Sequence, residues 1–165
     1  MMMDDVVIRD VRPDDVETIC QIAVAAWDPI FDHFRELMGE ELFAATCPDR
    51  PKEKARQVRR ACLPDSSAIV SVAEVTGEVV GFVTFYADEA SGIGEIGNNA
   101  VHPDFQGRGI GTRQCERILE IFREKGVKFA RVSTGLDDAS APARRQYEKA
   151  GFTHQTSTVT YYVQL

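Results

Sequence analysis

Val101-His102-Pro103-Asp104-Phe105-Gln106-Gly107-Arg108-Gly109-Ile110-Gly111-Thr112 is the stretch on which the reading of this chain turns. An apolar strand over Glu95–Val101 runs into it, and an amphipathic helix from about Thr112 runs out. Three glycines in five residues, Gly107 to Gly111, let the backbone approach a ligand closely and take angles other residues avoid. A helix starting there leaves its first N–H groups unpaired at the positive end of its dipole, which makes a phosphate pocket. The phosphate loop of a nucleoside triphosphatase needs Lys and then Ser or Thr after its last glycine, whereas Thr112-Arg113 follows Gly111. A dinucleotide fingerprint needs a third glycine further on and an acid near the end of the next strand. Neither pattern fits.

Working outward, Val6–Val11 reads as a strand stopped by Arg12-Pro13, with Asp14 or Asp15 capping the helix that follows. Val16, Ile19, Cys20, Ala23 and Trp27 form its apolar stripe, and Pro29 is expected to end or kink it. Residues 30–38 read as a second helical piece closed by Gly39, with further helices over Glu40–Ala45 and Lys52–Leu63. Ala68–Val75 and Val79–Tyr86 form a hairpin about Thr76-Gly77-Glu78, and Gly81 marks a bulge or a close neighbour. Beyond the glycine loop, Cys115, Ile118, Leu119 and Phe122 share one helix face that ends at Gly126. Val127–Thr134 is a strand, Ser140–Ala150 a helix with Pro142 in its first turn, and Phe152–Gln155 with Val159–Val163 a closing hairpin.

Two motifs in this order carry a family resemblance. Gln106-Gly107-Arg108-Gly109-Ile110-Gly111 resembles the acyl-CoA pyrophosphate loop of the GNAT superfamily of N-acetyltransferases. Tyr147-Glu148-Lys149-Ala150-Gly151-Phe152 resembles its Tyr-Glu-Lys-x-Gly-Phe signature. The order of elements matches as well, so the resemblance covers nearly all of residues 1–165 as a single domain. It implies an α/β GNAT fold: a mixed, mostly antiparallel, six- to seven-stranded twisted sheet flanked by about four helices, whose splayed central strands hold the acyl-CoA.

The resemblance also implies an acyltransferase that moves acetyl from acetyl-CoA directly to a primary amine in a ternary complex, without metal. The amides of Gly107, Arg108, Gly109, Ile110, Gly111 and Thr112 would grip the pyrophosphate. Gln106 opens that loop, and Arg108 and Arg113 would add charge. Asn99, Ala100 and Val101 would pair with the pantetheine and thioester, with the Val101 N–H polarising the carbonyl. Tyr147 would reprotonate the departing thiolate. Glu95 would be the base; strand alternation puts it on one face with Gly97, Asn99 and Val101 if no bulge intervenes. Where the family often has Asn, touching the pantetheine, this chain has Ser140. Trp27, Phe31 and Asp32 stand where acceptor choice is made, although aromatics at helical spacing are more often core. The other class of reading is a non-catalytic acyl-CoA-binding sensor or interaction domain on the same fold.

Composition bounds the partners. The 165 residues carry a net charge of −7, against nucleic-acid binding and compatible with a cationic amine or peptide acceptor. The four cysteines are scattered; Cys20 and Cys115 read as small core residues and none pairs with a histidine at zinc spacing. Met1–Asp5 is acidic, and no apolar run suits a signal peptide or membrane span, so a reducing cytoplasm is expected. The C-terminal strand segment offers an edge for a homodimer.

Overall fold

A computed structural model describes residues 6–165; Met1–Asp5 lies outside them. The described residues form one sheet whose strands lie in sequence order: β1 (Val6–Asp10), β2 (Ile69–Val75), β3 (Glu78–Asp88), β4 (Ile93–Val101) and β5 (Phe129–Val132). Five helices accompany it: α1 (Val16–Met38), α2 (Glu40–Thr46), α3 (Arg50–Ala61), α4 (Ile110–Glu124) and α5 (Ala141–Lys149). β1 to β4 pair antiparallel, and β5 joins β4 in parallel after the α4 crossover.

The β2–β3 turn has two central residues, Thr76 at φ 50° and Gly77 at φ 85°. Positive φ at both is what a tight hairpin needs to match strand twist, and only the glycine meets that demand without strain. β1 is anchored beside this hairpin by Arg9, which donates to Glu74 and to Asp15 at 2.7 Å each. The Arg9 guanidinium holds the Asp15 carboxyl below the usual carboxylate range despite its burial. Asp15 also accepts the Arg12 N–H, fixing the entry into α1.

The sheet is covered on both faces. α1 and α3 bury Ile19, Ile22, Ala23 and Val58 against Val70, Val72, Phe82 and Ala100. α4 and α5 bury Cys115, Ile118, Phe122 and Tyr147 against Val83, Phe85 and Ile96. Cys20 and Cys115 are core residues, as their spacing implies.

Three expectations are corrected. α1 runs unbroken through Pro29: one missing N–H and a ring clash cost less than the burial of Ile19, Ile22 and Phe31 along the same helix supplies. The sheet has five strands among the described residues, not six or seven. Residues 153–165 form no strand there, and Val159, Tyr161 and Val163 are exposed. Alternation in that segment signals strand propensity, but a strand exists only where another strand's edge receives it. Finally, a bulge interrupts β4. Val83 pairs with Asn99 and Phe85 with Ile96, so Thr84 alone opposes Gly97 and Asn98. One extra residue flips the alternation: Ile96 packs under α4, yet Asn99 and Val101 also face α4, while Glu95 and Asn98 face α3. Glu95 and Val101 therefore do not share a face.

Candidate active site

The glycine loop folds as its composition requires. Gly107 and Gly109 sit at φ 74° and 78°, and nothing lies within 4 Å of where a Cβ would be on Gly107. Gly109 is the N-cap of α4 and supplies no side-chain cap. Among the described residues, no acceptor meets the backbone N–H of Gly107, Gly109, Ile110, Gly111 or Thr112; the first helical bond is Arg113 N–H to Gly109 O. Five amides thus converge at one mouth, on the positive end of a 15-residue helix. A Cβ on Gly111 would displace the Gln146 side chain of α5. Gln106 staples the loop to the strand, its Nε2 donating to Val101 O at 3.0 Å. Arg108 donates to Asp104 O and stacks over Phe105. Arg113 lies along the groove between α4 and β1, with Glu116 and Glu120.

Beside this mouth the sheet opens. β4 and β5 pair only from Ile93–Phe129 to Ile96–Val132, yet β4 continues to Val101. His102 N–H bonds Val80 O, so by antiparallel alternation Ala100 turns its backbone groups to β3. The N–H groups of Asn99 and Val101 face the opened side. Asn99 fixes α4 by its side chain, donating to Gly111 O and accepting from Gln114 at 2.6 Å. The split edge and the amide mouth are two sets of unused backbone donors, one on each side of the 102–106 segment, whose own N–H groups are bonded within the protein.

Tyr147 lies on α5 in the layer beneath, buried against Cys115 and edge-on to Phe152 at 5.9 Å. Burial, and then the nearby Cys115, push its hydroxyl up to about 12. Its hydroxyl therefore keeps its proton at any physiological pH. No hydrogen bond to that hydroxyl comes from the described residues. Ser140 is buried at the start of α5 and donates to Asp137 at 3.1 Å in place of capping the helix. Arg144 ties down the same loop through Gly135 O and Asp137 O at 2.7 Å.

The other candidates scatter. Glu95 is on the α3 face, bonded by both Arg131 Nε, at 2.8 Å, and Arg131 Nη2, its register partner on β5. Phe31 is buried with Phe43 and Cys47 in the α1–α2 contact, so it is core. Asp32 is exposed and pairs with Arg35 at 2.6 Å. Trp27 alone of the three packs toward the sheet, against the α1–α3 core, with Lys54 over its ring. Sequence spacing gave no hint of Lys54, which sits within a run of charges. Gln114 had a signal: it is a polar residue on the apolar stripe of α4, fully buried, donating to Phe82 O and Asn99.

The Acetyltransferase (GNAT) family model matches residues 27–152, and the chain belongs to that family. An uncharacterized N-acetyltransferase of Archaeoglobus fulgidus is 41% identical over 83 residues, 47% of this chain and 55% of its own. A mycothiol acetyltransferase of Stackebrandtia nassauensis is 27% identical over 92% of this chain and 51% of its own. The chain thus spans about half the length of these curated relatives. Among solved structures, the PaiA N-acetyltransferase of Thermoplasma acidophilum, in complex with coenzyme A, superposes with a TM-score of 0.71 at 18% identity, covering 93% of this chain and 92% of that one. No helix among the described residues is long and apolar enough to cross a membrane.

Proposed function

We propose that this chain is an N-acetyltransferase taking acetyl from acetyl-CoA directly to a primary amine within a ternary complex. The observation that carries the reading is the pair of free backbone donor sets, one at the mouth of α4 and one on the unpaired edge of β4, on the two sides of one strand-to-helix loop. A polyanionic head followed by an amide-bearing arm fits such a pair. Acetyl-CoA, when bound, supplies the acetyl thioester and a thiolate leaving group.

In this reading the amides of Gly107–Thr112 hold the pyrophosphate, with Arg108 adding charge. The backbone of Asn99 and Val101 orients the arm, and the Val101 N–H is the donor aimed at the carbonyl oxygen. Tyr147 Oη donates the proton the thiolate sulfur needs, and Ser140 shapes the wall next to it. Glu95 takes the proton from the acceptor amine through water on the α3 face, its carboxylate oriented by Arg131. Trp27 borders the acceptor. The location is cytoplasmic, and the outer edge of β5 with the exposed C-terminal residues suits a homodimer.

The test is coenzyme-A release from acetyl-CoA over a panel of amines, beside calorimetry with coenzyme A. Saturable binding with amine-dependent thiol release supports the proposal. Coenzyme A and acetyl-CoA ignored at millimolar concentration would overturn it. Binding without turnover on any amine would favour the sensor.

A further inference from the structure

α3 is the most basic element of an acidic protein. It carries Arg50, Lys52, Lys54, Arg56, Arg59 and Arg60 against the single acid Glu53. Three of these have carboxylate partners: Lys52 with Asp49 at 3.0 Å, Arg56 with Glu53 at 3.2 Å and Arg59 with Glu17 at 2.9 Å. The two that turn inward have none among the described residues. Lys54 donates to Asn98 Oδ1 at 2.9 Å and Gln57 Oε1 at 3.0 Å, and its ammonium lies 3.8 Å from the centre of the Trp27 ring. One turn earlier, Arg50 bonds the Cys47 sulfur and stacks 6.0 Å from Phe31, and its Nε is buried with no partner.

Unbalanced cations are costly even when half-buried, and desolvation, then Arg50, pull Lys54 down to about 8. A neutral hydrophobic residue would serve packing better. The neighbouring acid on this face, Glu95, is already held by Arg131. The position is also telling. Asn98 is the bulged residue of β4, at the level where β5 has parted from β4. An arm entering from the α4 side and passing through that split emerges on the α3 face beside Asn98.

We infer that Lys54, supported by Arg50, is an acceptor-selecting site for a carboxylate, so that the acceptor is an amine that also carries a carboxylate, as amino acids do. This rests on the acetyl-transfer reading for the location of the acceptor. Lys54 supplies the donor and the charge, Arg50 one turn earlier adds a second positive charge, and Trp27 and Asn98 hold the ammonium in place. A polycationic amine would meet two like charges here, so the local field opposes what the net charge of −7 suggests.

Trp27 is the sole tryptophan and touches Lys54, so its fluorescence reports on this site without turnover. Glycine, leucine and glutamate are titrated into coenzyme-A-loaded protein, beside glycinamide, leucinamide and spermidine. At least one amino acid should give a saturable change, with its amide at least tenfold weaker. Lys54→Met, which keeps the apolar stem, should abolish the response; Lys54→Arg, which keeps the charge and guards against a folding defect, should retain it. In turnover, Lys54→Met should raise KM for the amino acid at least tenfold and leave KM for acetyl-CoA unchanged. Equal or tighter response to spermidine or the amides, no response to the amino acids up to about 10 mM, or an unaltered Lys54→Met would each overturn the inference. Thiol release from amines lacking a carboxylate would overturn it while acetyl transfer stood. A carboxylate-specific Trp27 response with no thiol release would sink acetyl transfer and leave the anion site.

Discussion

Replacing Tyr147 by Phe removes one oxygen that the fold does not use. The ring keeps its contacts with Cys115 and Phe152, and no described residue hydrogen-bonds the hydroxyl. Stability should therefore change by less than about 1 kcal/mol, the worth of one ordinary hydrogen bond. Catalysis should change far more. Loss of a positioned proton donor lowers kcat by roughly 10²- to 10⁴-fold, about 3 to 5 kcal/mol of barrier. Because burial raises the hydroxyl to about 12, it stays protonated across the whole working range. The wild-type kcat profile should show no limb from Tyr147 between pH 6 and 10. The linkage has a sign of its own. A value raised above 10 gives stability that is intact below pH 10 and lost toward pH 12, and Tyr147→Phe should remove that alkaline loss. The assay is thiol release at saturating acetyl-CoA, with calorimetry for coenzyme A and thermal melts across pH. A variant that binds coenzyme A normally, melts normally and keeps kcat within about threefold of wild type refutes the proton-donor role.

Gly109→Ala places a Cβ at φ 78°, costing about 1 to 2 kcal/mol at the amide mouth, so calorimetry should show coenzyme-A affinity at least tenfold weaker. Thr76→Asn relieves a β-branched residue at φ 50° and should stabilise by about 0.5 to 1 kcal/mol, read as a higher melting temperature with unchanged kinetics. Below pH 8, Lys54→Met should melt higher than wild type. Because the folded Lys54 is depressed to about 8 from 10.5, wild-type stability recovers as pH rises through that window, and the difference should shrink accordingly. Glu95→Gln should lower kcat/KM for the acceptor by at least tenfold without altering coenzyme-A binding; equal activity would assign Glu95 to its ion pair with Arg131 alone.

Local signals were strong where one residue type meets one backbone demand. The glycines of the loop, Gly77 in the hairpin and the apolar stripe of α4 could each be read without the fold, because steric permission and periodicity are properties of neighbouring residues. The place of Tyr147 on the last helix was legible through its signature, and the splayed strand was expected from the family resemblance. Phe31 and Asp32 show the limit. One of them is core and the other surface, although they are adjacent in sequence, since helical spacing does not say which side of α1 the neighbouring helix α2 covers.

By itself the sequence determined the order of strands β1 to β5, the family and the glycine-lined helix mouth, all of which follow from residues close together along the chain. Only the tertiary structure decided the rest. The bulge opposite Thr84 separates Glu95 from Val101, β5 leaves β4 after Ile96, and Lys54 comes to lie between Trp27 and Asn98. Each of these joins residues far apart in the chain, and such contacts are fixed by packing and register, which no local pattern encodes.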